Sequence, residues 1–212
     1  MKYDIHIHSS YSFDSLSSPR DIIKAAKKRG LNGIAITDHN TIKGSVLAKK
    51  WNTDKSFEII IGAEIKTEYG DIIGLFLNSE ISGNLFDSVI EQISSQGGVS
   101  ILAHPYRQYP HPEMITEKID LIEAFNARSS KVCNQQAKDL AIKKSKAMTA
   151  GSDAHALFEI GKGITLIEED AEIALKKGNT RVMGTELNYY ISHGISYGSE
   201  IIKRMCHADE KE

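Results

Sequence analysis

Short apolar runs alternate with segments of helical period along most of the chain. Tyr3 to His8 reads as a strand, and Pro19 to Arg29 as a helix with proline in its first turn and Gly30 beyond its end. A second strand, Gly33 to Thr37, precedes a helix from about Ile42 to Trp51. Glu58 to Lys66 and Asp71 to Leu77 are strands whose separation by Tyr69-Gly70 suits a hairpin. Leu85 to Ser95 has helical period, with Ser82 or Asn84 as the expected cap. Val99 to Ala103, Ile119 to Phe125 and Ala147 to Ala150 are short buried strands, with a helix from Lys131 to Lys144 between the last two. A strand at Ile164 to Ile167, a helix at Asp170 to Lys177, a last amphipathic helix at Ile195 to Met205 and a frayed ADEKE end complete the reading. Strand–helix alternation of this kind predicts an α/β fold with a mainly parallel sheet.

A chain of 212 residues with 41% hydrophobic and 25% charged residues is expected to be one globular domain. The formal net charge of -2 argues against a general nucleic-acid binder, which carries a basic stripe. It leaves small anionic substrates open, because bound metal ions bring positive charge of their own. Cys133 and Cys206 form neither a CxxC pair nor a disulfide framework and are expected as reduced thiols. The polar start MKYDIHIHSS has no apolar signal core, and no apolar run reaches membrane-spanning length, so a cytoplasmic location is expected.

Composition says little about chemistry; position says more. His6 and His8 close the first strand, Asp38 and His39 follow the second, and Glu64 lies near the end of the third. His104 follows VSILA, Asn126 follows LIEAF, and Asp153 and His155 follow AMTAGS. In a parallel α/β barrel the carboxyl ends of the strands meet on one face, so these residues are expected to share a pocket. Histidine and carboxylate suit Zn²⁺, Mn²⁺ or Fe²⁺. The H-x-H spacing puts two imidazoles on one side of a strand, and the two oxygens of Glu64 can bridge two ions. Paired ions clamp a phosphoryl group and acidify bound water, so a hydroxide bridging the ions is the expected nucleophile. Asp38 is the candidate for orienting a ligand histidine or shuttling protons. His111, His193 and His207 fall outside this pattern and are expected as surface or hydrogen-bonded histidines.

The order of motifs resembles the PHP family, named for its polymerase and histidinol phosphatase members. The matching stretches are DIHIHSSYSFDS (Asp4 to Ser15), ITDHN (Ile36 to Asn40), IGAEI (Ile61 to Ile65), ILAHPYR (Ile101 to Arg107), IEAFNAR (Ile122 to Arg128) and AGSDAH (Ala150 to His155).

That resemblance implies a distorted, TIM-like (β/α)7 barrel. Residues 1–212 would form one domain, with 156–212 completing the barrel and adding a helix. It further implies a metal-dependent hydrolase of phosphate mono- or diesters with two or three ions. His6, His8, Glu64 and Asp153 would hold the first. Glu64, His104 and Asn126 would hold the second, where some members place a histidine at the last position. Asp14, His39 and His155 would hold the third. Glu64 and Asp153 are the residues on which activity is expected to depend, with Asp38 beside them. Three divalent ions against Asp14, Glu64 and Asp153 leave about +3, which attracts a phosphate dianion. Arg107 and Arg128 are candidates for phosphate contact. Histidinol phosphate, a nucleotide phosphate and an oligonucleotide end all fit such a pocket, and a single-strand nuclease is the second enzymatic alternative. A metal-stabilised binding module is the non-enzymatic alternative. No stable nucleic-acid complex or membrane partner is expected.

Overall fold

The computed structural model describes residues 1–107, 109 and 111–209, with side chains through Cys206. The expectations for His207 and the ADEKE end lie outside the described side chains. Among the described residues nine strands form one sheet: β1 (Lys2–Asp4), β2 (Gly33–Ile36), β3 (Glu58–Lys66), β4 (Asp71–Leu75), β5 (Val99–Leu102), β6 (Leu121–Asn126), β7 (Ala147–Gly151), β8 (Gly163–Ile167) and β9 (Thr180–Gly184). Their order is β7-β6-β5-β4-β3-β2-β1-β8-β9, and only β4 and β8 pair antiparallel with their neighbours on both sides. The helices are α1 (Pro19–Lys28), α2 (Lys43–Trp51), α3 (Phe86–Ser95), α4 (Lys131–Lys143), α5 (Ala171–Lys177) and α6 (Tyr189–Asp209). The result is the expected α/β barrel, curved almost to closure. No described helix is long and apolar enough to cross a membrane.

Alternation along the strands divides the apolar residues. Ile34, Ile36 and Ile59 pack outward with Ile22, Ala26 and Ala48 of α1 and α2. Ile72, Leu102 and Ile122 pack outward with α3 and α4. Tyr3, Ala35, Ile60, Ile73, Leu75, Val99, Ile101 and Leu121 cluster instead with Ala174 and Leu175 of α5. An apolar floor therefore fills the lower barrel, and inward-facing residues above it are polar.

The expected strand Tyr3 to His8 ends at Asp4 because its alternation breaks there. Ile5 packs with the inner cluster and Ile7, two residues on, with the outer one. Beyond the break the chain pairs across the barrel. Ile7 forms a parallel bridge with Ala154, the Asp153 N–H donates to the His6 carbonyl at 2.8 Å, and the His8 N–H donates to the Ala154 carbonyl at 2.8 Å. At the other end β8, paired with β1 and β9, packs against β7, where Gly163 comes so close that a Cβ would sit 2.0 Å from the Gly151 carbonyl oxygen. A ladder rung is replaced here by one side chain: Thr165 Oγ1 accepts from the Ala150 N–H and donates to the Ala150 carbonyl, each at 2.9 Å. Buried Asp4 secures the same seam by accepting from the Ser152 N–H at 3.0 Å and the Gly161 N–H at 2.7 Å. Burial raises its carboxyl to about 6 against the pull of those N–H groups.

Local signals explain most helix ends. Ser18 accepts from the Asp21 N–H ahead of α1, Ser130 from the Cys133 N–H ahead of α4, and Asp170 from the Glu172 and Ile173 N–H groups ahead of α5. Neither Ser82 nor Asn84 caps α3. Leu85 stands at the cap, and the Phe86 N–H is taken by the Glu68 carboxylate from the β3–β4 turn. Strand β9 was not expected: its TRVMG is short and its residues are exposed or only half-buried. Helix α6 starts six residues before the expected Ile195, because Asn188 Oδ1 caps the N–H groups of Tyr190 and Ile191.

Replacing Thr165 with Val keeps the shape and removes the rung, leaving a buried N–H and C=O unpaired. We expect a loss of about 1–3 kcal/mol, read as a lower urea midpoint at unchanged slope. A midpoint equal to the parent's would show that the seam does not need this hydroxyl.

Candidate metal centre

The polar residues above the floor converge. His6 Nε2 and His8 Nε2 face each other at 3.2 Å. Glu64 Oε2 lies 3.4 Å from the first and 3.2 Å from the second, and Asp153 Oδ1 lies 3.5 and 3.3 Å from them. Glu64 Oε1 is 2.8 Å from His104 Nε2, and Asp71 Oδ2 is 3.9 Å from the same nitrogen. Asp14 Oδ2 lies 2.8 Å from His155 Nε2 and 3.4 Å from His39 Nε2. Among the described residues four sets of candidate ligand atoms are thereby grouped: His6, His8 and Glu64; His6, His104 and Asp153; Glu64, Asp71 and His104; and His8, Asp14, His39 and His155. The cleft above them has a volume of about 250 Å³.

Neighbouring groups fix which nitrogens face the cleft. His6 Nδ1 lies 2.9 Å from Glu123 Oε1, an acceptor, so that nitrogen is the donor and Nε2 points inward. Ser12 Oγ lies 3.0 Å from His8 Nδ1 and also accepts the His39 N–H at 2.9 Å. Glu123 Oε2 takes the His104 N–H at 2.8 Å, and Glu159 Oε2 takes the His155 N–H at 2.7 Å. Supports of this kind orient ligands and raise their basicity. Backbone strain is stored at the same place: His104 and Asp153 adopt φ of 27° and 55°, a region that costs side-chain-bearing residues about 1–3 kcal/mol each.

Charge decides the protonation. Burial would lower His6 and His8, but the carboxylates overturn it: Glu123, Asp153 and Glu64 hold His6 well above its ordinary value, and Asp153 and Glu64 hold His8 at about 9. Burial would raise Glu64 and Asp153, yet His6 and His39 hold the first low, and Arg107 and His6 the second. His155 goes the other way, to about 4, through burial and the nearby His8 charge, so it is neutral at pH 7.

Not every expected residue joins the cluster. Asp38 was expected beside a ligand histidine, but its carboxylate is taken by Ser9, whose N–H and hydroxyl donate at 2.5 and 2.6 Å. It shapes the Ser9–Ser12 turn, and Gly44 lets α2 approach, since a Cβ there would lie 2.0 Å from Asp38 Oδ2. Asn126 was expected as a ligand, but both ends of its amide are occupied. Nδ2 donates to Glu123 at 3.0 Å and Asp153 at 3.3 Å, and Oδ1 accepts the Arg128 N–H at 3.0 Å. Arg107 lines the cleft, with Nη1 and Nη2 both 2.7 Å from Asp153 Oδ2. Arg128 also lines it, but its Nη groups contact His155 Nδ1, the Ser192 carbonyl and Ser196 Oγ, the last two at 2.7 Å. Those bonds tie α6 to the barrel and leave the side chain poorly placed for phosphate.

The model of the PHP domain matches residues 4–133, and that of the PHP-associated region matches 133–180. The chain belongs to the PHP family. It is similar to an uncharacterized protein of Methanocaldococcus jannaschii, 44% identical over 143 residues, covering 60% of this chain and 82% of that one. A 5'-3' exoribonuclease of Haemophilus influenzae is 38% identical over 68 residues, which cover 32% of this chain and 24% of the relative. Among solved structures, a two-domain protein of Bacteroides vulgatus, described as containing a predicted PHP-like metal-dependent phosphoesterase, superposes with a TM-score of 0.75. It is 18% identical, and the match covers 94% of this chain and 69% of that one. The fold is thus that of the PHP metal-dependent phosphoesterases.

Within this PHP site, Glu123, Asp71 and Ser12 escaped the sequence reading. A charged residue inside an apolar run was the available signal, in LIEAF for Glu123 and before IIGL for Asp71. A register shift between Glu123 and Phe125 lets Glu123 and Asn126, three residues apart, turn to one side of β6. His193, expected as an ordinary hydrogen-bonded histidine, is hydrogen-bonded and also lines the cleft.

An ion can bind His8 only after displacing the proton that its carboxylates hold up to about 9. Titration of the metal-free protein with Zn²⁺ at pH 7.5, in buffers of different ionisation enthalpy, should release roughly one or more protons, and affinity should rise from pH 6 to 9. The metal-free fold should show the opposite trend. His8 is raised when folded, so its stabilisation is complete below about 6.5 and fades as pH climbs through about 9. Metal binding without proton release would contradict this assignment.

Proposed function

We propose that this PHP protein hydrolyses phosphate esters with divalent ions held in the His–carboxylate cluster. The observation that carries the reading is the meeting of His6 Nε2 and His8 Nε2 at 3.2 Å between Glu64 and Asp153. Two lone pairs aimed at one point repel unless a proton or a cation lies between them. The ligand types, imidazole and carboxylate, fit Zn²⁺, Mn²⁺ or Fe²⁺. His6, His8, Glu64 and Asp153 would hold one ion, and His39, His155 and Asp14 another. A further ion would rest on Glu64, His104 and Asp71, with Asp71 in the role first expected of Asn126. When bound, such ions supply Lewis acidity and lower the pKa of water from 15.7 towards about 7.

The protein's own groups do the positioning. Glu123 and Ser12 aim the imidazoles, and Arg107 holds Asp153 while its remaining N–H groups are available to a phosphate oxygen. Glu123 and Asp71 add two negative charges to the earlier count, and Arg107 and Arg128 add two positive ones. With three ions the balance therefore stays at about +3. The cleft volume of about 250 Å³ takes the phosphoryl group and the atoms next to it, leaving the rest of a substrate outside. A second reading, cleavage at the end of a nucleic-acid strand, draws on the segment shared with the exoribonuclease. Steeply salt-dependent binding of single-stranded RNA would favour it.

Aryl phosphate hydrolysis should be abolished by chelation and restored by Mn²⁺ or Zn²⁺. Glu64→Ala and Asp153→Ala should each lower it by roughly two orders of magnitude or more in a folded chain. Undiminished turnover in either folded variant would refute the assignment. Asp71→Asn should lower the ions bound per chain by one in elemental analysis after dialysis, whereas Asn126→Ala should leave that number unchanged. The reverse pattern would return the site to Asn126.

A further inference from the structure

His193 sits on α6, outside every motif that the sequence singled out. Its Nδ1 lies 2.9 Å from the Tyr189 carbonyl one turn back, and its ring stacks on Tyr189 at 3.9 Å between centroids. A carbonyl only accepts, so Nδ1 carries the hydrogen and Nε2 presents a bare lone pair. The ring lines the cleft together with Arg107, Arg128 and Ser196. Helix α6 is held in place there: Arg128 donates to the Ser192 carbonyl and Ser196 Oγ, and the Leu187 N–H donates to the Ala127 carbonyl at 2.7 Å. The cleft wall on this side therefore carries two guanidinium groups, the Ser196 hydroxyl and, at His193, an imidazole whose Nε2 can accept.

An acceptor among donors selects for a particular ligand. A fully ionised phosphate has no hydrogen to give it, whereas a hydroxyl on the carbon skeleton next to the phosphate does. Building on the phosphoesterase reading, we propose that His193 is a specificity residue, whose Nε2 accepts a hydrogen bond from a hydroxyl on the organic part of the phosphate ester. The substrate class is then a polyol, sugar or nucleoside phosphate rather than an aryl or alkyl phosphate. Burial and the positive charges of Arg128 and Arg107 lower the imidazole, against the Tyr189 carbonyl, which keeps the ring neutral at pH 7. A site built to pair with a hydroxyl discriminates strongly against an analogue that lacks one.

The test compares kcat/KM for ribose 5-phosphate with that for phenyl phosphate, in the metal-loaded protein and in His193→Ala and His193→Gln. The parent should prefer ribose 5-phosphate. In His193→Ala the ratio of the two constants should fall about tenfold or more, and His193→Gln, which keeps an acceptor oxygen, should recover part of it. Equal losses on both substrates would overturn the proposal by placing His193 in the common chemistry or in the fold. So would an unchanged ratio, or a parent that hydrolyses phenyl phosphate without preferring the sugar. A parent that hydrolyses neither ester under any added ion would instead remove the phosphoesterase reading, and this inference with it.

Discussion

Asp4, Asp14, Asp38, Glu64, Glu123, Asp153 and Glu159 are all buried, and a carboxylate withdrawn from water costs several kcal/mol unless donors replace the solvent. Much of the upper barrel is arranged to supply those donors. Backbone N–H groups of Ser9, His104, Ser152, His155 and Gly161 each end on one of these carboxylates. Histidines and Arg107 meet the others. The loops take their shapes from this demand, and short irregular segments carry His6, His8, His39, His104, Asp153 and His155, while Glu64 and Asp71 stand on β3 and β4. The positive φ angles of His104 and Asp153 belong to the same arrangement: local backbone energy is spent to aim a side chain.

Most of the fold was legible because the barrel repeats one instruction, a short apolar strand followed by a capped helix. Ser18, Ser130 and Asp170 announce helices through local chemistry that any short window of sequence contains. The departures are non-local. Glu68 replaces the local cap of α3, and the two sides of the Thr165 rung lie 15 residues apart on neighbouring strands. Strand β1 stops at Asp4 because its next residues pair with a segment near position 154, a partner that no local periodicity can name.

The ligands divided in the same way. As candidate ligands, His6, His8, His39, Glu64, His104, Asp153 and His155 were visible because they stand at the ends of apolar runs, where a barrel gathers side chains. Asn126 also stands at a strand end, yet its amide already bonds to Glu123, Asp153 and the Arg128 N–H. Position could not show that competition. Asp71 was hidden for a different reason. Strand β4 runs against its neighbours, so the start of that strand, not its end, reaches the cluster. A rule that looks only at carboxyl ends passes over it.

Arg128 touches the ring of His155 with one nitrogen and the carbonyl of Ser192 with the other, so a single planar cation spans the cluster and the last helix. Docking of that helix and occupancy around His155 then share one thermodynamic cycle, and whatever free energy passes one way passes back in equal measure. Tyr190 and Tyr197 face solvent on the outside of this helix. A dye attached there would report from a distance on what the cleft contains, without entering it.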